Sequence, residues 1–153
     1  MFTTADKLKN ERVAGGDADI DVLLPITTKA VYTFYGKPGV GKSNIALSYC
    51  MTAIQQGYNC VWIDTEGKFP YARLEKIAKT RGMTGWEQRF MISERVNTVD
   101  GLKNAVKSIY NGDITGKIVV VDTIIFPFRS NPNYQGLKNL AKRQQTLASI
   151  LGM

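Results

Sequence analysis

Eight consecutive residues match the G-x-x-x-x-G-K-[ST] pattern of a phosphate-binding loop at every defined position. They are Gly36, Lys37, Pro38, Gly39, Val40, Gly41, Lys42 and Ser43. In such a loop the glycines let backbone N–H groups surround the phosphates, the lysine reaches the β- and γ-phosphates, and the hydroxyl binds Mg²⁺. We therefore predict that this loop binds a nucleotide, with Lys42 acting in catalysis and Ser43 binding Mg²⁺. A chance glycine-rich turn is the alternative.

A strand and a helix must hold such a loop, and the flanking sequence predicts both. The apolar run at residues 30–35 lies directly before the loop and predicts a strand. Residues 43–56 are rich in helix formers and are followed by Gly57, which predicts a helix that ends there. The loop would then lie at a helix N-terminus, where unpaired N–H groups and the helix dipole favour anions.

Two carboxylates follow other apolar runs. Asp122 ends the run at residues 117–122, a position from which a carboxylate can hold the water shell of Mg²⁺ or Ser43 beside the phosphates. Glu66 follows the predicted strand at residues 59–64, and it could orient or deprotonate the water that attacks the γ-phosphate. A solvated strand cap and a simple loop carboxylate are the alternatives for these two residues.

Strands and helices alternate along the chain. Besides the segments above, the pattern predicts a strand over residues 89–92, helices over 71–79, 99–110 and 137–151, and a loop over 130–136. Apolar strands separated by helices are typical of a parallel sheet that is covered on both faces. The predicted fold class is a three-layer α/β domain.

Composition excludes several other classes of protein. The chain has 153 residues, of which 44% are hydrophobic, and this suits one globular domain. It contains no signal peptide and no run of about 18 apolar residues, so we expect a soluble, intracellular protein with no membrane partner. Cys50 and Cys60 are too few for a disulfide framework, and the absence of histidine excludes a histidine base. We expect both cysteines to be buried.

The chain is basic, with a net charge of +7 and an isoelectric point near 9.5. Lysine and arginine neutralise phosphates and release counterions, so this balance favours polyanions such as nucleic acid as partners. Charge alone is weak support, because many basic proteins bind no nucleic acid.

The loop and several further strings together resemble one family, the RecA-like recombinases of the archaeal RadA/RadB and eukaryotic strand-exchange type. The strings are residues 44–47, 62–67, 119–123 and 140–148. The resemblance implies a P-loop NTPase with a RecA-like, mainly parallel sheet, and ATP and Mg²⁺ as cofactors. It also implies that Glu66 is the water-activating residue, that Asn44 continues the nucleotide site, and that Arg73 lies near the nucleotide base. A helix-surface charge is the alternative for Arg73.

The N-terminus extends this resemblance. Phe2 and Ala5 match the family's F-x-x-A polymerisation motif, in which both side chains enter pockets on a neighbouring core and the segment adds a strand to its sheet. We therefore predict a linker over residues 1–14, a RecA-like ATPase core over residues 15–153, and head-to-tail association with further copies or a related recombinase. An untethered chain end is the alternative.

Single-stranded DNA is the implied polymer partner. By resemblance the first DNA-binding loop spans residues 129–138, where Arg129 and Lys138 would contact the DNA backbone, with Lys142 and Arg143 adding charge. Tyr134 could stack on a base. The alternative is a solvated basic helix face with Tyr134 packed into the core.

The resemblance also implies that the core is incomplete at its C-terminal end. In the family another strand follows the last helix and lies between the strand at residues 30–35 and the strand at residues 118–121. We expect this strand to come from further residues, from another chain or from the N-terminal region.

These features predict an ATP-dependent, DNA-binding recombinase core for homologous recombination and DNA repair, located in the cytoplasm with the nucleoid or in the nucleus. Three other functions stay open. They are a RadB-like mediator with weak ATPase activity, a non-catalytic fragment or adaptor that binds a partner core through Phe2, and a KaiC-like ATPase without a DNA function. The motif at Phe2 and the segment at residues 129–145 disfavour the last of these.

Overall fold

The computed structural model describes residues 10–116 and 118–152. The helices are α1 (Ala18–Leu23), α2 (Lys42–Gln55), α3 (Tyr71–Thr80), α4 (Val99–Tyr110), α5 (Phe126–Arg129) and α6 (Leu140–Leu151). Short 3₁₀ turns span Trp86–Arg89, Pro132–Tyr134 and Leu137–Asn139. The strands are β1 (Cys60–Asp64), β2 (Phe90–Ile92) and β3 (Ile118–Asp122). The helices predicted from periodicity are present, and the two shortest, α1 and α5, were not predicted.

The three strands form one parallel sheet in the order β2-β1-β3. The central strand β1 pairs over its full length with β3, from Cys60 opposite Ile118 to Asp64 opposite Asp122. All five residues of β1 are buried. Because both strands end in an aspartate at the same level, their carboxylates lie at one edge of the sheet, where ligands of open α/β folds bind.

The side chains of β1 alternate between two cores. Cys60 and Trp62 pack with residues of α2 and α3 on one face of the sheet. Val61 and Ile63 pack with residues of α4, α5 and α6 on the other face. This arrangement confirms the predicted three-layer α/β fold, and Cys50 and Cys60 are both buried as expected.

The strand predicted over residues 30–35 is wrong for the described structure, because these residues form no strand. Strand geometry is stabilised by pairing with a neighbour, and the described residues supply no strand beside this segment. Val31 and Tyr35 are accordingly 58% and 92% exposed. The segment does not pair with residues 118–121 either, so the expected intervening strand stays a prediction.

The segment before the phosphate loop wraps around α2. Asp17 caps α1 by accepting hydrogen bonds from the Asp19 and Ile20 N–H groups. Gly15 lies so close to α2 that a Cβ atom there would come within 2.8 Å of the Tyr49 ring. The Val13 N–H donates to the Ile26 carbonyl. Val13, which lies before position 15, is thus paired with Ile26 and is buried, while the domain boundary at residues 14 and 15 stays a prediction.

Across the described residues, no helix combines the length and apolar character needed to cross a lipid bilayer.

Candidate nucleotide site

The phosphate loop adopts a conformation that only glycine accommodates readily. Gly39 and Gly41 have φ angles of 81° and 96°, in the left-handed region that is costly for residues with a Cβ atom. No side chain caps the following helix α2, which begins at Lys42. No side chain therefore accepts its first N–H groups, and an anion at this end of the helix could do so.

Lys42 is held by the loop itself. Its Nζ donates to the carbonyl oxygens of Gly36 and Lys37, over 3.0 Å and 2.9 Å. These neutral acceptors are weaker partners for an ammonium group than phosphate oxygens are. The lysine is thus positioned over the loop and can exchange its carbonyl contacts for contacts to phosphate.

Ser43 and Asp122 are brought together from positions far apart in the sequence. The Ser43 hydroxyl donates to Oδ2 of Asp122 over 3.0 Å. Burial raises the pKa of the Asp122 carboxyl, the Ser43 hydrogen bond and Lys42 lower it, and the carboxylates of Glu66 and Asp64 raise it. A cation between these groups would offset the burial and the repulsion, and oxygen ligands are the ones Mg²⁺ prefers.

Residues 64–69, which we call the Glu66 turn, are built around Asp64. Oδ1 of Asp64 accepts the N–H groups of Glu66 and Gly67, over 3.1 Å and 2.8 Å, and Oδ2 accepts that of Phe69 over 3.0 Å. Asp64 is only 7% exposed. Its carboxylate therefore fixes the backbone of the turn that presents Glu66.

The Glu66 turn is also attached to the residue after Asp122. The Thr65 hydroxyl donates to the Thr123 carbonyl over 2.8 Å and accepts the Thr123 N–H over 2.8 Å. Oε1 of Glu66 accepts from the Thr123 hydroxyl over 3.4 Å, and Oε2 lies 3.7 Å from Nζ of Lys68. The Glu66 carboxylate is therefore located beside Asp122, with its side chain 33% exposed.

A cleft of about 1000 Å³ lies beside α2 and α3. Asn44 and Arg73 both line it, so the structure brings together two residues that were predicted separately for the nucleotide site. Lys76 and Arg81 also line the cleft, and none of its lining residues is acidic. The cleft therefore carries positive charge beside the first turns of α2.

Comparison with known proteins agrees with this geometry. The family model described as Rad51 matches residues 8–153. The chain belongs to the Rad51 family. It is 32% identical over 168 aligned residues to a protein of Ignicoccus hospitalis named DNA repair and recombination protein RadA, and the alignment covers 95% of this chain and 50% of that protein. The chain thus spans about half the length of this curated relative.

The residues predicted from Rad51-family resemblance to bind DNA lie on residues 126–143, which we call the basic segment. Arg129 and Lys138 are exposed there. Tyr134 is partly buried, with its ring 5.2 Å from that of Phe128 between centroids and Nζ of Lys142 lying 5.1 Å from its ring centroid. Tyr134 therefore makes the packing contacts of the structural alternative, while DNA contact by this residue stays a prediction.

The predicted association motif at Phe2 and Ala5 lies outside the described residues. The strand at which an added strand could pair is described, however. Within residues 10–116 and 118–152, β2 pairs only with β1, and Ile92 is 41% exposed. The outer edge of β2 is therefore open to a further strand.

Two residues near the site are not predicted by the sequence patterns above. Asp64 belongs to one of the family strings, and an aspartate that accepts N–H groups two and three residues later is a common turn signal that could have indicated its role. Arg95 is the second. Its guanidinium carbon lies 5.8 Å from the centroid of the Phe126 ring, and no local sequence signal could have located that contact.

Proposed function

We propose that this chain is the ATP-binding and ATP-hydrolysing core of a Rad51-family recombinase that acts on single-stranded DNA. The observation that carries the proposal is the 3.0 Å contact between Ser43 of the phosphate loop and Asp122 at the end of β3. It joins the loop that would hold the phosphates to the carboxylate that would hold their cation. Glu66 lies beside this pair.

The residues at the site fit MgATP. Ser43 and Asp122 supply the oxygen atoms that suit Mg²⁺, and the uncapped start of α2 suits the phosphates. Lys42 would leave the Gly36 and Lys37 carbonyls to contact the phosphates. Mg²⁺ would neutralise the charge that develops during phosphoryl transfer. Asn44 and Arg73 would contact the nucleoside in the adjoining cleft.

Glu66 would act on the attacking water. Asp64 and Thr65 fix the backbone of its turn at the edge of the sheet, and the Thr123 hydroxyl donates to its carboxylate. A carboxylate positioned in this way can orient a water molecule and accept its proton during the reaction.

Single-stranded DNA would bind to the basic segment. Exposed Arg129 and Lys138 suit contacts to the DNA backbone. Lys142 and Arg143 add positive charge along α6. Stacking on a base would depend on Tyr134, and its ring already packs against Phe128. Backbone contacts would therefore supply most of the affinity, and binding would weaken as salt is raised.

Head-to-tail association would use the N-terminal motif. Phe2 and Ala5 of one copy would enter pockets of the next, and the segment between them would pair with the open edge of β2. Burial of one phenylalanine is worth about 1.5–3 kcal/mol, and such a contact gains from repetition along DNA. Light scattering tests this step. A Phe2→Glu variant should be monomeric, and a mass distribution equal to wild type would contradict it.

Phosphate release measures the proposed activity directly. We expect Mg²⁺-dependent release of phosphate from ATP that increases when single-stranded DNA is added, and a gel shift of that DNA that requires MgATP. A RadB-like mediator would bind ATP with little stimulation by DNA. A non-catalytic adaptor that binds through Phe2 would release no phosphate. Either result would contradict the proposed function and support the mediator or the adaptor instead.

A further inference from the structure

We propose that Arg95 couples the basic segment to the Glu66 turn, so that DNA bound at the basic segment adjusts the position of Glu66. Arg95 lies in the loop between β2 and α4, and it contacts both regions. The inference deepens the proposed function and rests on it, because it concerns how the same site is regulated.

The first contact joins Arg95 to the Glu66 turn. Gly67 has a φ angle of 71°, and a Cβ atom there would lie 2.9 Å from Cδ of Arg95. Real Cβ atoms do not approach a neighbour so closely, so the arginine stem lies directly against the backbone of the residue after Glu66. Arg95 and Gly67 are both exposed, so this contact lies at the surface, and a displacement of the arginine stem would change its packing against the turn.

The second contact joins Arg95 to the start of the basic segment. Its guanidinium carbon lies 5.8 Å from the centroid of the Phe126 ring, within the range of a cation–π interaction. Phe126 is the first residue of α5, and Arg129 is the last. The stem of Arg95 thus contacts the Glu66 turn while its charged group contacts the helix that carries a predicted DNA-binding residue.

The backbone provides a parallel connection. The Phe126 N–H donates to the Thr123 carbonyl over 3.4 Å, and the Thr123 hydroxyl donates to Glu66. A shift of α5 on DNA binding would therefore reach the Glu66 turn at two points. Arg95 supplies the point that can be altered without changing any residue of the nucleotide site.

Three variants of the full chain test the coupling. Arg95→Gln removes the charge, Phe126→Leu removes the ring but keeps an apolar side chain, and Lys107→Gln, at an exposed position of α4, removes a charge as the matched control. We expect Arg95→Gln and Phe126→Leu to lower the stimulation of phosphate release by saturating single-stranded DNA about two- to fivefold, the range for an exposed cation–ring contact. Basal release and DNA affinity should stay unchanged for Arg95→Gln, and the control should match wild type.

The double variant Arg95→Gln/Phe126→Leu sharpens the test. If both residues act through one contact, the double variant should lose no more stimulation than either single variant. Additive losses would overturn the proposal. It would also be overturned if Arg95→Gln lost DNA affinity, since Arg95 would then be a DNA contact, or if it lost basal release, since its role would then be structural.

Hydrogen exchange separates this inference from the proposed function. In wild type with Mg²⁺ and a non-hydrolysable ATP analogue, single-stranded DNA should slow amide exchange in the peptide that contains the Glu66 turn, and Arg95→Gln should abolish this change. If the chain bound DNA with that response but released no phosphate, the proposed ATPase would be wrong and the coupling would stand. If wild type bound DNA without the response, the coupling would be wrong. If it bound no DNA, both would be wrong.

Discussion

The Glu66 turn and the phosphate loop lie at the same edge of the sheet, but the fold holds them differently. The turn follows the fully buried central strand and is fixed by three N–H groups donated to Asp64. The loop follows residues 30–35, which pair with no described strand, and side chains of Lys42 and Ser43 hold it. The turn that presents Glu66 is thus fixed through its backbone, whereas the loop that would bind phosphate is held through side chains.

Replacing Glu66 should have the largest effect, and the effect should be confined to turnover. A positioned general base contributes about 10²–10⁴-fold to a rate, so Glu66→Gln should lower kcat by that order in phosphate-release assays. The affinity for MgATP should stay unchanged, because Glu66 acts only during the reaction. Equal turnover by wild type and Glu66→Gln would remove Glu66 from the chemistry.

Removing Asp64 should destabilise the fold more than removing a side chain that holds the loop. Asp64→Ala leaves three N–H groups of a partly buried turn without their acceptor, and we expect the free energy of unfolding to fall by about 2–4 kcal/mol. Ser43→Ala removes one hydrogen bond and should cost about 0.5–1.5 kcal/mol. Urea denaturation of both variants checks the difference. Equal costs would mean that the two regions are held equally firmly.

Replacing Asp122 should have smaller effects, and these should be opposite in direction for the stability of the fold and for nucleotide binding. Burial raises the pKa of its carboxyl above the unfolded value, so the folded state binds its proton more tightly. The free energy of unfolding without nucleotide should therefore fall as pH rises from the unfolded pKa through the folded one. Asp122→Asn should remove this dependence and raise the thermal midpoint at neutral pH, yet weaken Mg²⁺-dependent nucleotide binding.

Thermal unfolding and nucleotide titration across pH measure both quantities for Asp122. In wild type, MgATP affinity should decline as pH falls through the raised pKa, because the protonated carboxyl no longer attracts the cation. A lower midpoint for Asp122→Asn than for wild type at neutral pH would contradict the account of burial.

Local patterns predicted the elements that local chemistry determines. The helix after the phosphate loop, the amphipathic helix Val99–Tyr110 and the strands around Cys60–Asp64 and Ile118–Asp122 follow from apolar periodicity and end signals. The contact between Ser43 and Asp122 was expected from the loop motif together with a strand-end carboxylate. In these cases the local sequence around each residue indicates where that residue lies in the fold.

Other features depend on partners that are remote in the sequence. Residues 30–35 have the composition of a strand but lack a described neighbour to pair with, so composition alone misled the prediction. The contact of Arg95 with Gly67 and Phe126 joins three separate loops and elements, and no spacing encodes it. The sequence leaves two alternatives for Tyr134, which are stacking on a DNA base and packing into the core. Only the positions of Phe128 and Lys142 show how its side chain packs.

The most direct test is calorimetric titration of MgATP into wild type and Lys42→Ala, with Lys107→Ala as a control for the loss of one exposed charge. The account predicts that wild type and the control bind alike, and that Lys42→Ala loses roughly 100-fold in affinity, because the ammonium group contacts phosphate charge in the ground state. Circular dichroism should show that all three proteins are folded. Equal MgATP affinity for wild type and a folded Lys42→Ala variant would contradict the assignment of this loop as the phosphate site.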